Sequence, residues 1–142
     1  MVQFSIFLAN RVGKMMELVK WLDEQHVRIA ALAVHEASDH AVVRVVTSNA
    51  NVTRSVLTEQ HLTFIESDIL VVALDRDHTL SDMCRFVLSA ELNIRFTYPL
   101  FGWEGGPAAI ALAIDDPTMA GQILRRKEFR LLGEADMPSL PV

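Results

Sequence analysis

Cysteine is almost absent from this sequence. Cys84 is the only cysteine among 142 residues, so no internal disulfide can form and no CxxC pair is available for a redox or zinc site. Cys84 also falls in an apolar helical stripe, which predicts a buried thiol rather than a reactive nucleophile. Thiol chemistry is therefore not expected to be the function of this protein.

Long apolar runs and an excess of basic charge are missing as well. No apolar run approaches the roughly 18 residues of a membrane-spanning helix, and residues 1–10 lack the basic start and small-residue cleavage site of a signal peptide. The 13 Lys and Arg residues stand against 18 Asp and Glu residues, a formal net charge of −5, whereas nucleic-acid binding depends on clustered basic side chains. We therefore expect a globular, cytoplasmic protein that binds neither a membrane nor nucleic acid.

The sequence also lacks the usual catalytic and cofactor motifs. It contains no GxSxG, P-loop or GxGxxG pattern. Its histidines show no HxxxH or HxH spacing; they are His26, His35, His40, His61 and His78. Asp75 and Asp77 flank Arg76, but loop carboxylates of this kind are usually solvated or cap a helix. The sequence thus predicts no metal, no cofactor and no catalytic residue.

The main feature that is present is an internal repeat with a period of about 65 residues. The first copy predicts strand, helix, strand, strand, helix and strand from the apolar patterns at 2–9, 15–22, 28–37, 41–46, 49–60 and 62–67. The second copy predicts the same order at 69–74, 80–87, 93–101, 107–114, 115–126 and 129–132. We expect one domain at 1–68, a second at 69–136, a chain that is irregular from Glu134 onward, and a C-terminal tail at 137–142.

This element order predicts an α+β fold made of two ferredoxin-like βαββαβ units, each an antiparallel sheet with helices on one face. Asn49 and an Asp before Pro117 have the character of helix caps. The strands at 41–46 and 107–114 carry apolar residues on both faces, so each sheet must be covered twice. The second cover is predicted to be the other half of the chain, a second chain, or both.

Two aromatic residues occupy matching places in the first helix of each copy. Trp21 lies at the flank of the first apolar stripe and Phe86 takes the same position in the second. Either each aromatic ring forms the rim of its own core, or the two helices contact one another between the halves.

The doubled βαββαβ unit, with NRVG after the first strand, VRIAALAV after the helix and DDPTMA before the last helix, resembles a tandem ACT domain protein. The resemblance covers about residues 3 to 133. It implies a regulatory module that binds a small molecule, commonly an amino acid, at an interface between paired domains. In that family the loop after the first strand and the start of the first helix face the second strand of the neighbouring domain.

The first loop has chemistry suited to such a ligand. A helix N-terminus offers free N–H groups and partial positive charge to a carboxylate, and Gly13 permits a close approach or a positive φ. Asn10 can accept from an ammonium group. The alternative is that Gly13 only shapes a tight turn, which Asn10 caps. The predicted ligand-binding residues are Asn10, Arg11, Val12, Gly13, Lys14, Met15, Tyr98 and Phe101.

The second loop departs from the family pattern. His78 replaces Gly13, Asp77 replaces Val12 and Asp75 replaces Asn10, while Thr79 has the character of a helix cap. Two carboxylates beside a helix start would repel a carboxylate ligand. Asp75, Asp77, His78 and Thr79 therefore form a second candidate site, which we expect to differ from the first.

These observations favour a non-catalytic regulatory protein that binds an amino-acid-like effector. The protein is expected to form a homodimer and to act on a metabolic enzyme. The alternative is an assembly module, a regulatory subunit whose pocket is vestigial. An enzyme is the third alternative, since a ferredoxin-like fold can host catalysis.

Overall fold

The computed structural model describes residues 1–9, 13–36, 39–101, 103 and 108–137. The elements of the first half are β1 (Val2–Ala9), α1 (Lys14–Glu24), β2 (Ile29–Glu36), β3 (His40–Thr47), α2 (Ala50–Glu59) and β4 (Thr63–Asp68). Those of the second half are β5 (Leu70–Ala73), α3 (Leu80–Ser89), β6 (Ile94–Pro99), β7 (Ala109–Ile114), α4 (Pro117–Arg126) and a short 3-10 helix (Glu134–Asp136).

Each half forms its own antiparallel sheet. The first sheet has the order β2-β3-β1-β4, and the second has the order β5-β7-β6. Central strand β1 sets the register of the first sheet, with Phe4 opposite Val45 and Ile6 opposite Phe64. The predicted α+β fold of two ferredoxin-like units is confirmed.

The end of the chain differs from the prediction in two ways. Residues 129–132 form no regular strand: Leu131 makes an isolated bridge to Val72, beside a bond of 2.8 Å from Leu132 N to Val71 O. Instead of being irregular, residues 134–136 form the 3-10 helix, and Met137 behind it is buried. Ala73 N also donates to Arg130 O at 2.9 Å, so residues 130–132 stay beside β5 although they form no regular strand.

Among the described helices, α2, α3 and α4 each begin with a side chain that accepts a hydrogen bond from a backbone N–H group of the first turn. Asn49 accepts from Val52 N at 3.0 Å at the start of α2. Asp116, which precedes Pro117, accepts from Met119 N at 3.0 Å at the start of α4. The predicted Asn and Asp caps are therefore confirmed.

Each half has a core between its helices and its sheet. The buried members in the first half are Phe4, Ile6, Leu8, Leu18, Leu22, Val27, Val43, Val45, Ala50, Val56 and Leu57. In the second half they are Val72, Met83, Val87, Leu112, Ile114, Ala120, Leu124 and Phe129. Trp21 packs at the edge of the first core and Phe86 at the edge of the second, so each aromatic ring forms the rim of its own half.

The prediction of a buried Cys84 thiol is wrong, because Cys84 is exposed. The face of α3 that packs on the sheet is centred on Met83 and Val87, which are buried. Cys84 lies one residue further along the helix, which turns its side chain by about 100° away from that face. Leu80, in the same apolar stripe, is also exposed.

A third core lies between the two sheets. Along β7, Leu112 and Ile114 face the helices, whereas Ala111 and Ala113 face the opposite sheet. The buried members of this intersheet core are Ala30, Ala31, Val46, Ile69, Val71, Ala73, Tyr98, Ala109, Ala111, Ala113, Leu132 and Met137. The doubly apolar strands are therefore covered on both faces, and the second cover is the other half of the same chain.

Polar contacts also connect the halves at the edges of this core. Phe101 N donates to Ala30 O at 3.0 Å, which joins the end of β6 to edge strand β2. The Arg44 guanidinium lies 4.3 Å from the centre of the Phe96 ring. The two halves thus behave as one packed unit rather than as two domains on a linker.

Candidate functional site

The first candidate site is the loop between β1 and α1. Three of its predicted residues, Asn10, Arg11 and Val12, lie outside the described part of the chain. Gly13 is exposed and has φ of +90°, a left-handed conformation that residues with a side chain adopt only at a cost. A Cβ atom at Gly13 would meet no atom of the described residues within 4 Å, so among them the constraint on this position comes from the backbone and not from crowding.

Helix α1 begins without a side-chain cap. Gly13 is its N-cap, and the first helical bond runs from Glu17 N to Gly13 O at 3.0 Å. The N–H groups of Lys14, Met15 and Met16 therefore precede the first helical hydrogen bond, and no N-cap side chain accepts from them. Their partial positive charge makes the start of α1 a suitable place for an anionic group.

The predicted residues at the start of α1 differ in exposure. The Lys14 ammonium lies 3.3 Å from the Glu17 carboxylate in an exposed ion pair, which is worth little on its own. Met15 packs against the core of the first half. The next side chain, Met16, is 71% exposed and was not singled out from the sequence.

In the second candidate site, between β5 and α3, side chains accept hydrogen bonds from backbone N–H groups of the same segment. Asp75 Oδ1 accepts from Asp77 N at 2.9 Å and from His78 N at 2.7 Å, and it lies 3.0 Å from His78 Nδ1. The hydrogen bond from His78 lowers the pKa of Asp75. Thr79 Oγ1 accepts from Asp82 N at 3.1 Å and caps α3. Side chains of the second loop, Asp75 and Thr79, thus accept from the N–H groups of the loop and of the start of α3.

Tyr98 and Phe101, on the same strand extension, lie in different environments. Tyr98 is buried in the intersheet core, where its hydroxyl donates to Gln3 Oε1 at 2.5 Å. Burial raises the pKa of the Tyr98 phenol, although the charge of Arg44 opposes this shift. Phe101 is 51% exposed and lies at the surface.

Phe101 lines a groove that the sequence did not indicate. The groove has a volume of about 580 Å³ and is lined by Val19, Asp23, Arg28, Ile29, Leu32 and Phe101. Its walls come from α1, from β2 and from the second half of the chain. Sequence spacing carries no signal for it, since Phe101 reaches β2 only through the packing of the two halves.

The described ranges contain neither a metal-binding cluster nor a membrane-spanning helix. No group of three or more His, Cys, Asp or Glu side chains there is arranged to hold a metal ion. Among the described helices, none is both long and apolar enough to span a membrane.

Two ferredoxin-like units, packed sheet against sheet, define the fold class of this protein. The family model of the ACT domain pair matches residues 1–140, and the chain belongs to that family. The resemblance drawn from the sequence is confirmed. Among curated proteins, no sequence matches the chain.

Solved structures share this fold at low sequence identity. Protein BT0572 from Bacteroides thetaiotaomicron has a TM-score of 0.84 and 21% identity, over 95% of this chain and 93% of that one. The ligand-free regulatory subunit of aspartate kinase from Thermus thermophilus has a TM-score of 0.61 and 13% identity, over 88% and 90%. The same subunit from Thermus flavus has a TM-score of 0.54 and 15% identity, over 88% and 90%. At these identities the likeness establishes the fold.

Proposed function

We propose that this protein is a non-catalytic regulatory protein that binds a small amino-acid-like molecule at the start of α1. The observation that carries the proposal is the combination of a left-handed Gly13 with an α1 N-terminus that no N-cap side chain occupies. The N–H groups at Lys14, Met15 and Met16 bind the carboxylate of the ligand, and the absence of a side chain at Gly13 allows the ligand to approach the backbone.

The ammonium group of the ligand needs an acceptor on the same loop. Asn10 offers an amide oxygen three residues before Gly13, and we assign this contact to it. Arg11, Val12 and Lys14 complete the loop. Lys14 adds positive charge beside the helix start, which strengthens the attraction for the carboxylate.

We propose that the second loop does not bind the same ligand. Asp75 places a carboxylate where the first loop has Asn10, and its hydrogen bonds to Asp77 N and His78 N support this assignment. The carboxylate of an amino acid would meet like charge there. One ligand per chain at the α1 start is the expected stoichiometry of this site.

Family membership supports a regulatory role. Two relatives of the fold are named as regulatory subunits of aspartate kinase. We propose that this chain acts in the cytoplasm on a metabolic enzyme and forms a homodimer. Light scattering that shows twice the chain mass of 15.9 kDa would support the dimer, and a monomer at high micromolar concentration would remove it.

A second candidate function is assembly alone. Both edge strands of the first sheet expose apolar side chains: Val34 on β2 is 56% exposed and Ile65 on β4 is 58% exposed. The edge of β4, and the part of β2 beyond its contact with Leu100 and Phe101, can pair with another chain. In that case the protein serves as a subunit that joins partners, and the loop at α1 is only a turn.

A thermal-shift screen of the free amino acids separates the two functions. A ligand that binds only the folded state raises the melting temperature, by an amount set by its concentration relative to Kd. Regulatory binding predicts a shift for one chemical group of amino acids. No shift for any amino acid at millimolar concentration would favour assembly.

A further inference from the structure

We propose that the groove between α1, β2 and Phe101 is a second small-molecule site, for a zwitterion with a large apolar side chain. The groove binds the carboxylate of the ligand at Arg28, its ammonium group at Asp23, and its apolar part between Leu32 and Phe101. The site is separate from the helix start proposed above and does not depend on it.

The size and lining of the groove fit a molecule of this kind. Its volume of about 580 Å³ lies within the roughly 300–1,000 Å³ of small-molecule sites. Val19, Ile29 and Leu32 are half-buried and supply an apolar floor. Phe101 completes the lining and is 51% exposed, so part of its side chain is open to a ligand.

The two charged residues of the groove have opposite signs and no partner. Within the described ranges, the side chains of Asp23 and Arg28 form no hydrogen bond and no ion pair, with each other or with another residue. A molecule that carries one positive and one negative group satisfies both. A ligand with a single charge would satisfy only one of them.

The position of Asp23 argues against a structural role. It lies in the last turn of α1, where the helix dipole is negative and a carboxylate is unfavourable. The last turn of α1 contains no basic residue that would offset this charge. The Asp23 carboxylate therefore gains nothing from the helix dipole and, where it lines the groove, is available to a ligand.

The backbone holds both charged residues firmly in place. The turn between them is closed by bonds of 3.0 Å from Val27 N to Leu22 O and 2.9 Å from His26 N to Asp23 O. Arg28 N donates to Ser48 Oγ at 3.0 Å, which ties the start of β2 to the end of β3. The backbone positions of both residues are therefore fixed before a ligand arrives, which lowers the cost of ordering the site.

The groove also connects the two halves. Phe101 belongs to the second half and reaches β2 through its backbone bond to Ala30 O. A ligand held between Leu32 and Phe101 contacts both halves at once. Its binding therefore favours the conformation in which the two sheets are packed together.

The test compares L-phenylalanine with two analogues that each lack one of its charged groups. 3-Phenylpropionate lacks the ammonium group, and 2-phenylethylamine lacks the carboxylate. Calorimetry measures each affinity for the wild-type chain, and methyl NMR follows Val19 and Leu32. We expect L-phenylalanine to bind at least tenfold more tightly than either analogue and to shift both methyl signals.

Substitutions then assign each charge. Arg28→Met is expected to lower the affinity for L-phenylalanine at least tenfold and to remove its advantage over 2-phenylethylamine. Asp23→Asn is expected to make the affinity for L-phenylalanine equal to that for 3-phenylpropionate. It should leave the melting temperature unchanged or raised, because it removes a negative charge from the negative end of the helix dipole. Phe101→Ala weakens all three probes. If Arg28→Met does not fold, Arg28→Gln replaces it.

Two matched controls remove the same charges elsewhere. Glu59→Gln neutralises a carboxylate at the end of α2, and Arg95→Met removes a guanidinium from β6; both residues are exposed. Neither is expected to change any affinity by more than twofold.

Three results would overturn the groove as a site. The first is that L-phenylalanine binds no better than its analogues, or not at all. The second is that Arg28→Met and Asp23→Asn bind it like wild type while Gly13→Val does not, which would leave the proposed function intact. The third is that Phe101→Ala dissociates a dimer, as seen by light scattering, because a second chain covers the groove. An affinity lost in Arg28→Met and Asp23→Asn supports the groove whether or not a ligand binds at the helix start.

Discussion

The Tyr98 hydroxyl donates a hydrogen bond of 2.5 Å to Gln3 Oε1, across 95 residues of sequence and between the two sheets. Gln3 is 1% exposed and Tyr98 is 8% exposed, so neither group can exchange this bond for water. Gln3 Nε2 donates to Ser67 Oγ at 3.2 Å in addition. The bond is a polar contact within an otherwise apolar interface, and its geometry requires the two halves to dock in one register.

The first prediction concerns the strength of this bond. Tyr98→Phe leaves Gln3 Oε1 buried without its donor and is expected to lower the free energy of unfolding by about 1–3 kcal/mol. Gln3→Leu combined with Tyr98→Phe should cost less than the sum of the two single changes, since both polar groups are then removed. Urea unfolding of the four proteins measures this coupling. Additive losses would show that the bond does not couple the halves.

The second prediction uses the fact that Tyr98 is the single tyrosine of the chain. Burial raises the pKa of its phenol in the folded protein, whereas the unfolded chain ionises near pH 10. A raised folded pKa means that stability is full below about pH 10 and falls as the pH rises further. Absorbance at 295 nm should show phenolate above pH 10 only as the protein unfolds. Phenolate that appears with an ordinary pKa in the folded chain would contradict the burial of Tyr98.

The third prediction concerns the C-terminal 3-10 helix. Glu134 Oε1 accepts from Ala50 N at 2.7 Å, so a residue of the second half caps α2 in the first half. Glu134→Ala is expected to cost about 0.5–2 kcal/mol, the usual range for a lost helix cap. Glu134→Gln keeps an acceptor oxygen and serves as the control, with a smaller loss. Equal stability of the Ala variant and wild type would mean that this cap does not form in solution.

Much of this fold could be predicted from the sequence because its signals are local. The order of the elements through α4, the Asn49 and Asp116 caps and the doubly apolar β3 and β7 depend on neighbouring residues, and these predictions were confirmed. The errors at Cys84 and at 129–132 arose where tertiary packing decides. Cys84 lies in an apolar stripe but outside the face that meets the sheet, and residues 129–132 keep only a single bridge to β5, between Leu131 and Val72.

The two proposed binding sites also differ in whether the sequence could predict them. Gly13 could be singled out because a glycine between a strand and a helix is a local pattern, and its φ of +90° agrees with the positive φ that the pattern suggested. The groove could not be predicted, because Asp23, Arg28 and Phe101 meet only after the two sheets pack. Contacts between residues that are far apart in the chain produce no periodic pattern in a single sequence.

The fourth prediction concerns the difference between the two loops. The triple variant Asp75→Asn, Asp77→Val and His78→Gly gives the second loop the residues of the first. It removes the two carboxylates that would repel the carboxylate of a ligand, and it places a glycine at the position that corresponds to Gly13. For an amino acid already shown to bind at the helix start, calorimetry should find a second equivalent of ligand. Unchanged stoichiometry and affinity in a folded triple variant would show that loop composition does not set binding.

The most direct measurement of the central claim is the affinity of the amino acid identified by the thermal-shift screen for a graded series at Gly13. Gly13→Ala and Gly13→Val add one and three carbon atoms to a residue with φ of +90°. A side chain at this φ strains the backbone by about 1–3 kcal/mol. Each variant must therefore first show an intact melting transition. Affinity is expected to fall in the order Gly, Ala, Val, with more than a tenfold loss for Val, above about 1.4 kcal/mol. Asn10→Ala should weaken binding separately, through the ammonium group. Wild-type affinity in all three folded variants would contradict the account and would place the ligand away from the start of α1.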